Sequence, residues 1–274
     1  MSCLHIALLS GGLLAAVLPS HAAPPESGLF YDLERGGNGL DLHRAGNVLF
    51  GAFYTYDPAH FPEWLWIQTV DGEAPAGTLT RYRKQGGQLV SSVAGTFTLT
   101  PDPTCATFLP PPPARQRFRM DFVLDGATYR WCMEPLLPPT QVPLVRLSGA
   151  WYDPSDPGWG LFTHHYPRFD GQVETYRTLY YHDAAGHPRW SFGQDLTSTS
   201  STLTQRFYRT GVECVGCGAS PPLTVPVGTA TITLADPAAA FGSSRLSTSL
   251  AFDGAAPFVR NNVPLLLLSA PRAQ

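Results

Sequence analysis

Several residue groups in this sequence have types and spacings that suit chemistry, and each also has a plainer structural use. Cys214 and Cys217 form a Cys-x-x-Cys pair in a Gly- and Pro-rich stretch. Such a pair can serve as a redox dithiol or as half of a zinc knuckle. A structural zinc site needs four ligands, and the sequence has no second Cys-x-x-Cys. A redox pair normally opens a helix beside a parallel sheet, and no helical period flanks this one. The spacing therefore favours a loop disulfide. Cys105, just before the proline run 110–113, and Cys132 complete an even set once Cys3 near the N-terminus is set aside. A second bridge, Cys105–Cys132, is expected. No cofactor and no metal site is expected.

His164 and His165 are adjacent, so on a strand they point to opposite faces and do not chelate one ion from one side. The first half of the chain has Asp41, Leu42 and His43 in the corresponding region, so the His-His pair itself is not repeated. Packed or surface histidines are expected. His182 and His187 flank Asp183, but no serine in a nucleophile motif stands nearby. There is no Gly-x-Ser-x-Gly and no His-Glu-x-x-His. The turns containing Asp32, Glu34 and Asn38, and Asp153, Ser155 and Asp156, offer oxygen ligands of the kind calcium uses. Their spacing does not match an EF-hand, and side-chain-capped turns are the expectation. No catalytic residue is assigned.

Aromatic side chains are the best candidates for a binding surface. Tyr54, Tyr56, Trp64 and Trp66 in the first half correspond to Tyr180, His182, Trp190 and Phe192 in the second. Trp64 and Trp66 share a strand face, as do Tyr54 and Tyr56. Facing a lumen, these rings would line a pocket for a small apolar or sugar-like ligand. In a narrow barrel they would simply fill it, and that filling is the favoured expectation. On this reading Trp64 and Trp190 cap the two barrel floors.

The elements that must position these residues follow from a repeat. SGLFYDLERGGNG (27–39) is echoed by SGAWYDPSDPGWG (148–160). YTYDPAHFPEW (54–64) is echoed by LYYHDAAGHPRW (179–190), GTFTLTPD by GTATITLAD, and VLDGATYRW by AFDGAAPFV. Four phrases recurring in one order indicate tandem duplication. Within each copy apolar residues recur with period two, and Asp-Gly or Gly-Gly turns separate the runs. Strands are expected near 28–32, 39–44, 47–56, 63–69, 78–84, 92–100, 117–124 and 128–134, with a similar set in the second copy. Eight short hairpin-linked strands per copy suit a closed barrel, because closure removes sticky edges. The fold class expected is all-β, two tandem eight-stranded antiparallel up-and-down barrels, with β-sandwiches as the competing geometry. The expected domains are 24–135 and 148–274, joined by a proline-rich linker at 136–147.

The Gly28-Leu-Phe-Tyr31-Asp32 and Gly149-Ala-Trp-Tyr152-Asp153 starts resemble the Gly-x-Trp openings of avidin-type and lipocalin barrels. That resemblance implies that Phe30 and Trp151 plug barrel ends. The longer pattern, GxWYDPxxxGxG followed by YTYDxxGxPxW, is similar to tandem repeats in exported bacterial proteins of uncharacterised function. It covers most of both copies. The first copy departs from it at Phe30 and Leu33.

Residues 1–23 read as a secretory signal peptide, with an apolar run from Ile6 to Leu18 and Ser20-His21-Ala22 at the cleavage positions. A periplasmic or extracellular location follows as an expectation. The formal net charge of −3 gives no electrostatic case for nucleic acid. No later segment suits a membrane-spanning helix, and the strands lack the lipid-facing band of an outer-membrane barrel. The expected function is a non-enzymatic module binding a small ligand or a protein partner. The rival reading is a secreted hydrolase with its site at a barrel mouth.

Overall fold

A computed structural model describes residues 27–32, 34–46, 48–69, 75–102, 104–105, 117–136, 148–168, 170–196, 202–211, 223–234, 246–252 and 257–269. The expected signal peptide, most of the 136–147 linker, Cys214 and Cys217 lie outside these residues.

The described residues form sixteen strands. The first eight are β1 (Gly28–Tyr31), β2 (Gly39–Ala45), β3 (Val48–Tyr56), β4 (Pro62–Thr69), β5 (Ala76–Gln85), β6 (Gln88–Pro101), β7 (Phe118–Leu124) and β8 (Ala127–Pro135). The second eight are β9 (Gly149–Tyr152), β10 (Gly160–Pro167), β11 (Val173–His182), β12 (Pro188–Leu196), β13 (Thr202–Gly211), β14 (Leu223–Leu234), β15 (Leu246–Phe252) and β16 (Phe258–Ser269). Each set runs up and down in sequence order, and each closes into a barrel by pairing its first strand with its last. The sandwich alternative is excluded by this closure.

Local chemistry explains the boundaries. Gly86 and Gly87 both take positive φ, 57° and 82°, and make a two-residue hairpin turn, so β6 begins at Gln88 rather than near 92. Asp32 and Asp153 each accept the backbone N–H two residues on, at 2.8 Å, capping the turns that follow β1 and β9. Gly39 and Gly160 each leave room for a carbonyl of the preceding strand, Phe30 O and Trp151 O, where a Cβ would collide.

The first lumen is filled by Phe30, Phe53, Phe97, Phe118, Met120, Phe122, Trp131 and their aliphatic neighbours. The second is filled by Trp151, Leu161, Leu179, Tyr181, Phe207, Phe252 and Phe258. Cys105 and Cys132 are joined by a disulfide with Cα atoms 5.4 Å apart. It ties the loop after β6 to β8.

A third apolar cluster lies between the barrels. Leu29, Phe50, Ala52, Tyr54, Tyr56 and Trp64 of the first meet Ala150, Phe162, Tyr180 and Trp190 of the second. This corrects the expectation for the aromatic set. Tyr54, Tyr56, Trp64, Trp66, Tyr180, His182, Trp190 and Phe192 do not fill lumens, and Trp64 and Trp190 do not cap barrel floors. They point outward, while their strand neighbours Phe53, Leu65, Leu179 and Tyr181 point inward. The seam is reciprocal. Trp64 Nε1 donates to Tyr181 O at 3.0 Å, and its counterpart Trp190 Nε1 donates to Thr55 O at 3.1 Å. Tyr54 lies 5.1 Å from Trp190, and Tyr180 lies 5.2 Å from Trp64, between ring centroids.

Two stability outcomes follow. Replacing Cys105 and Cys132 together by Ser releases a loop of sequence separation 27 and is expected to lower unfolding free energy by about 2–4 kcal/mol, read by urea denaturation with and without reductant. Trp64→Ala removes a seam ring and is expected to lower stability by about 3–5 kcal/mol. Calorimetry should then resolve two transitions where the wild type shows one, and an unchanged single transition would contradict the seam role.

Candidate functional site

Beside the outward rings lies a gap. A cavity of about 200 Å³ opens beside the seam, between β4 to β6 of the first barrel and the turn 153–159 of the second. Trp64, Trp66, Tyr82, Tyr152, Trp159 and Tyr180 supply most of its wall, with Leu89, Pro157, Gly158 and Leu268 completing it. The Trp64 and Tyr82 rings stack at 6.1 Å, and the Trp159 ring meets Phe258 edge-on at 5.5 Å. Trp159 is 1% exposed, yet its indole N–H has no hydrogen-bond partner. Buried indole N–H groups ordinarily find one.

Both barrels build this cleft, and polar contacts hold its walls in place. The β5–β6 hairpin reaches across, with Lys84 N donating to Gly186 O at 3.0 Å. Gly186 has φ 81°, and a Cβ there would strike the Lys84 backbone. The corresponding His60 takes a similar φ of 64°. Asp156 pairs with both Lys84 and Arg260. His182 Nε2 donates to the Tyr82 carbonyl at 3.1 Å. Arg189 bridges the barrels through Asp57, at 2.9 Å, and Asp183, at 2.9 Å.

The structure divides the expected binding residues. Trp64, Trp66 and Tyr180 line the cleft. His182 supports it from behind, and Tyr54, Tyr56 and Trp190 belong to the seam core, with Phe192 packed against that core. Tyr82, Tyr152 and Trp159 were missed. Trp159 sits in the second opening phrase, beside Gly158 and Gly160, and its aromatic character was the available signal.

A second polar group lies at the centre of the seam. Asp41 is 0% exposed, and its Oδ1 accepts from His43 Nε2 at 3.0 Å and His164 Nε2 at 2.8 Å. The two imidazoles stack at 5.5 Å. Each lies four residues past its Gly39 or Gly160, so they are counterparts in the two copies. Burial pushes the Asp41 carboxyl up, but His164 and His43 beside it hold it below the usual carboxylate range. Burial also holds His43 below the usual imidazole value. These three residues could hold a metal ion: one ligand atom from each lies within 4.8 Å of the others.

His165 points the other way, into the second barrel, as adjacent strand residues must. Its Nδ1 lies 2.7 Å from Ser148 Oγ. This pair looks like a nucleophile and its base, but burial and the nearby Arg177 push the imidazole down to about 3. A base that weak does not activate a hydroxyl near neutral pH, and no carboxylate among the described residues orients it. Arg177 is 1% exposed, and Nη1 donates to Gln205 Oε1 at 2.9 Å. Burial pushes its guanidinium down to about 9, still charged at neutral pH. Its Nε has no partner. No known protein family, curated protein or solved structure matches the chain.

Burying that charge with no carboxylate in direct contact among the described residues, and only the more distant Asp195 to offset it, is costly, so its removal should be tolerated. Arg177→Met with Gln205→Leu is expected to equal the wild type or exceed it by about 1–4 kcal/mol in denaturant unfolding. A large loss would mean that Arg177 has a binding partner in the native lumen.

Proposed function

We propose that this chain is an exported, non-enzymatic binding protein. Its inter-barrel cleft takes a small ligand with a flat apolar face and a hydrogen-bond acceptor, and a sugar ring answers to that description. The observation that carries the reading is the aromatic cleft with an unpartnered donor. Half-buried Trp66 and Tyr82 offer ring faces, buried Trp64 and Trp159 back the wall, and the Trp159 N–H lacks an acceptor. Sugar rings present C–H faces that pack on aromatic rings, and their hydroxyls accept from buried donors. Export is supported by the apolar run Ile6–Leu18 and by the Cys105–Cys132 disulfide, which suits an oxidising compartment.

Tryptophan fluorescence against a panel of mono- and oligosaccharides and flat aromatic probes tests this reading. Saturable quenching is expected. Tyr82→Ala should weaken binding about 10-fold through lost stacking. Trp159→Phe replaces the buried indole with a smaller phenyl ring, so it removes the N–H at some cost in melting temperature, and should weaken sugars more than apolar probes. Absence of quenching across the panel, or variants that bind like the wild type, would overturn the proposal.

A further inference from the structure

The carboxylate of Asp41 has no simple structural reason to be where it is. It lies among aromatic rings: Phe162 stacks on His43 at 4.7 Å and Phe50 at 5.9 Å. At the corresponding position the second copy has Phe162, so an apolar side chain fits this place in the fold. A buried carboxylate is strongly unfavourable unless its charge is neutralised and both oxygens are engaged. Here Oδ1 takes both imidazoles and Oδ2 has no partner.

Two imidazole nitrogens and one carboxylate oxygen form a donor set that suits zinc and its borderline neighbours, and does not suit calcium or magnesium. The ligands come from both barrels, β2 of one and β10 of the other. We propose that Asp41, His43 and His164 hold a zinc-type divalent cation at the seam, binding one barrel to the other. The cation neutralises the buried carboxylate and takes up ligand atoms that otherwise crowd one oxygen. Asp41 Oδ2 or a water completes the coordination. The duplicated histidine position supplies one ligand from each copy, and the single Asp41 supplies the third without a like-charged counterpart. This site is separate from the aromatic cleft, so either can fail alone.

The full mature chain without an affinity tag tests this inference, with Cys214→Ser/Cys217→Ser as the background so that the thiols cannot take up metal. Zinc content after refolding in zinc and dialysis is read by mass spectrometry, and the coordination sphere by cobalt absorption. One zinc per chain, a raised melting temperature and a cobalt spectrum without sulfur charge transfer are expected. His164→Gln should lose the metal and the thermal shift, whereas His165→Gln, whose side chain faces the lumen, should keep both. Where Asp41→Asn fails to fold, His43→Gln gives the second ligand deletion. No stoichiometric zinc, or zinc retained in both His164→Gln and His43→Gln, would overturn the site and leave Asp41 as a hydrogen-bond acceptor only.

Discussion

A barrel hides only one face of each strand, and β3 and β4 carry apolar side chains on both. β3 is buried along nearly its whole length, with Phe53 inside and Tyr54 outside. β11 repeats the arrangement with Leu179 inside and Tyr180 outside. Neither barrel can leave such a face in water, so each covers the other. Burying the two indoles then obliges each N–H to find an acceptor, and each finds a carbonyl on the opposite barrel. These crossed bonds set the register of the seam. The Arg189 bridge, the hairpin contact at Gly186 and the cleft all take their places from it.

The copies agree where the seam needs agreement and diverge elsewhere. Tyr54 with Trp190 and Tyr180 with Trp64 preserve a self-complementary surface, as in a two-fold dimer interface. Away from those contacts, corresponding positions of the two barrels differ. Glu63 pairs with Arg81 in its own barrel at 2.9 Å, whereas its counterpart Arg189 reaches Asp57 across the seam. Gly51 in the first lumen corresponds to Arg177 in the second, and Phe97 to Ala230. The second lumen thus exchanges aromatic volume for a buried polar layer of Arg177, Gln205 and Thr175. Because both barrels lie on one chain, each can carry its own residues at corresponding positions.

Much of the fold was legible because local signals agreed with each other. Period-two patterning, paired turn glycines and recurring phrases gave strand count, hairpin order and closure. The Cys105–Cys132 bridge was readable from the expectation of export and from both cysteines lying in one copy. The inward or outward sense of the aromatic face was not readable. Period two states that Trp64 and Trp66 share a face, but it does not say which face is wet, and here the outward face is buried at Trp64 and opens only from Trp66 to Gln68. The available signal was the run VLFGAFYTY, apolar or aromatic on both faces apart from Thr55, which marks a strand buried on both sides. The Asp41 cluster escaped for a related reason. His43 and His164 are far apart in sequence, and only the seam brings them to one carboxylate.

The cleft lies to one side of the reciprocal seam contacts, and the hairpin explains why. β5 and β6 extend beyond β4 to a two-residue glycine turn, and that overhang carries Tyr82 and Leu89 over the second barrel. There Lys84 meets Gly186 and Asp156, and Tyr82 O takes the His182 N–H. One wall of the cleft therefore belongs to the first barrel and the other to the second. A ligand bridging both walls would gain its affinity only while the seam is closed, and by linkage would stabilise the closed seam to the same degree. The same linkage applies to any contact that tightens the barrels on each other. Seam and cleft are coupled by construction, since the Trp64 ring that faces the cavity belongs to the indole whose N–H holds the opposite barrel.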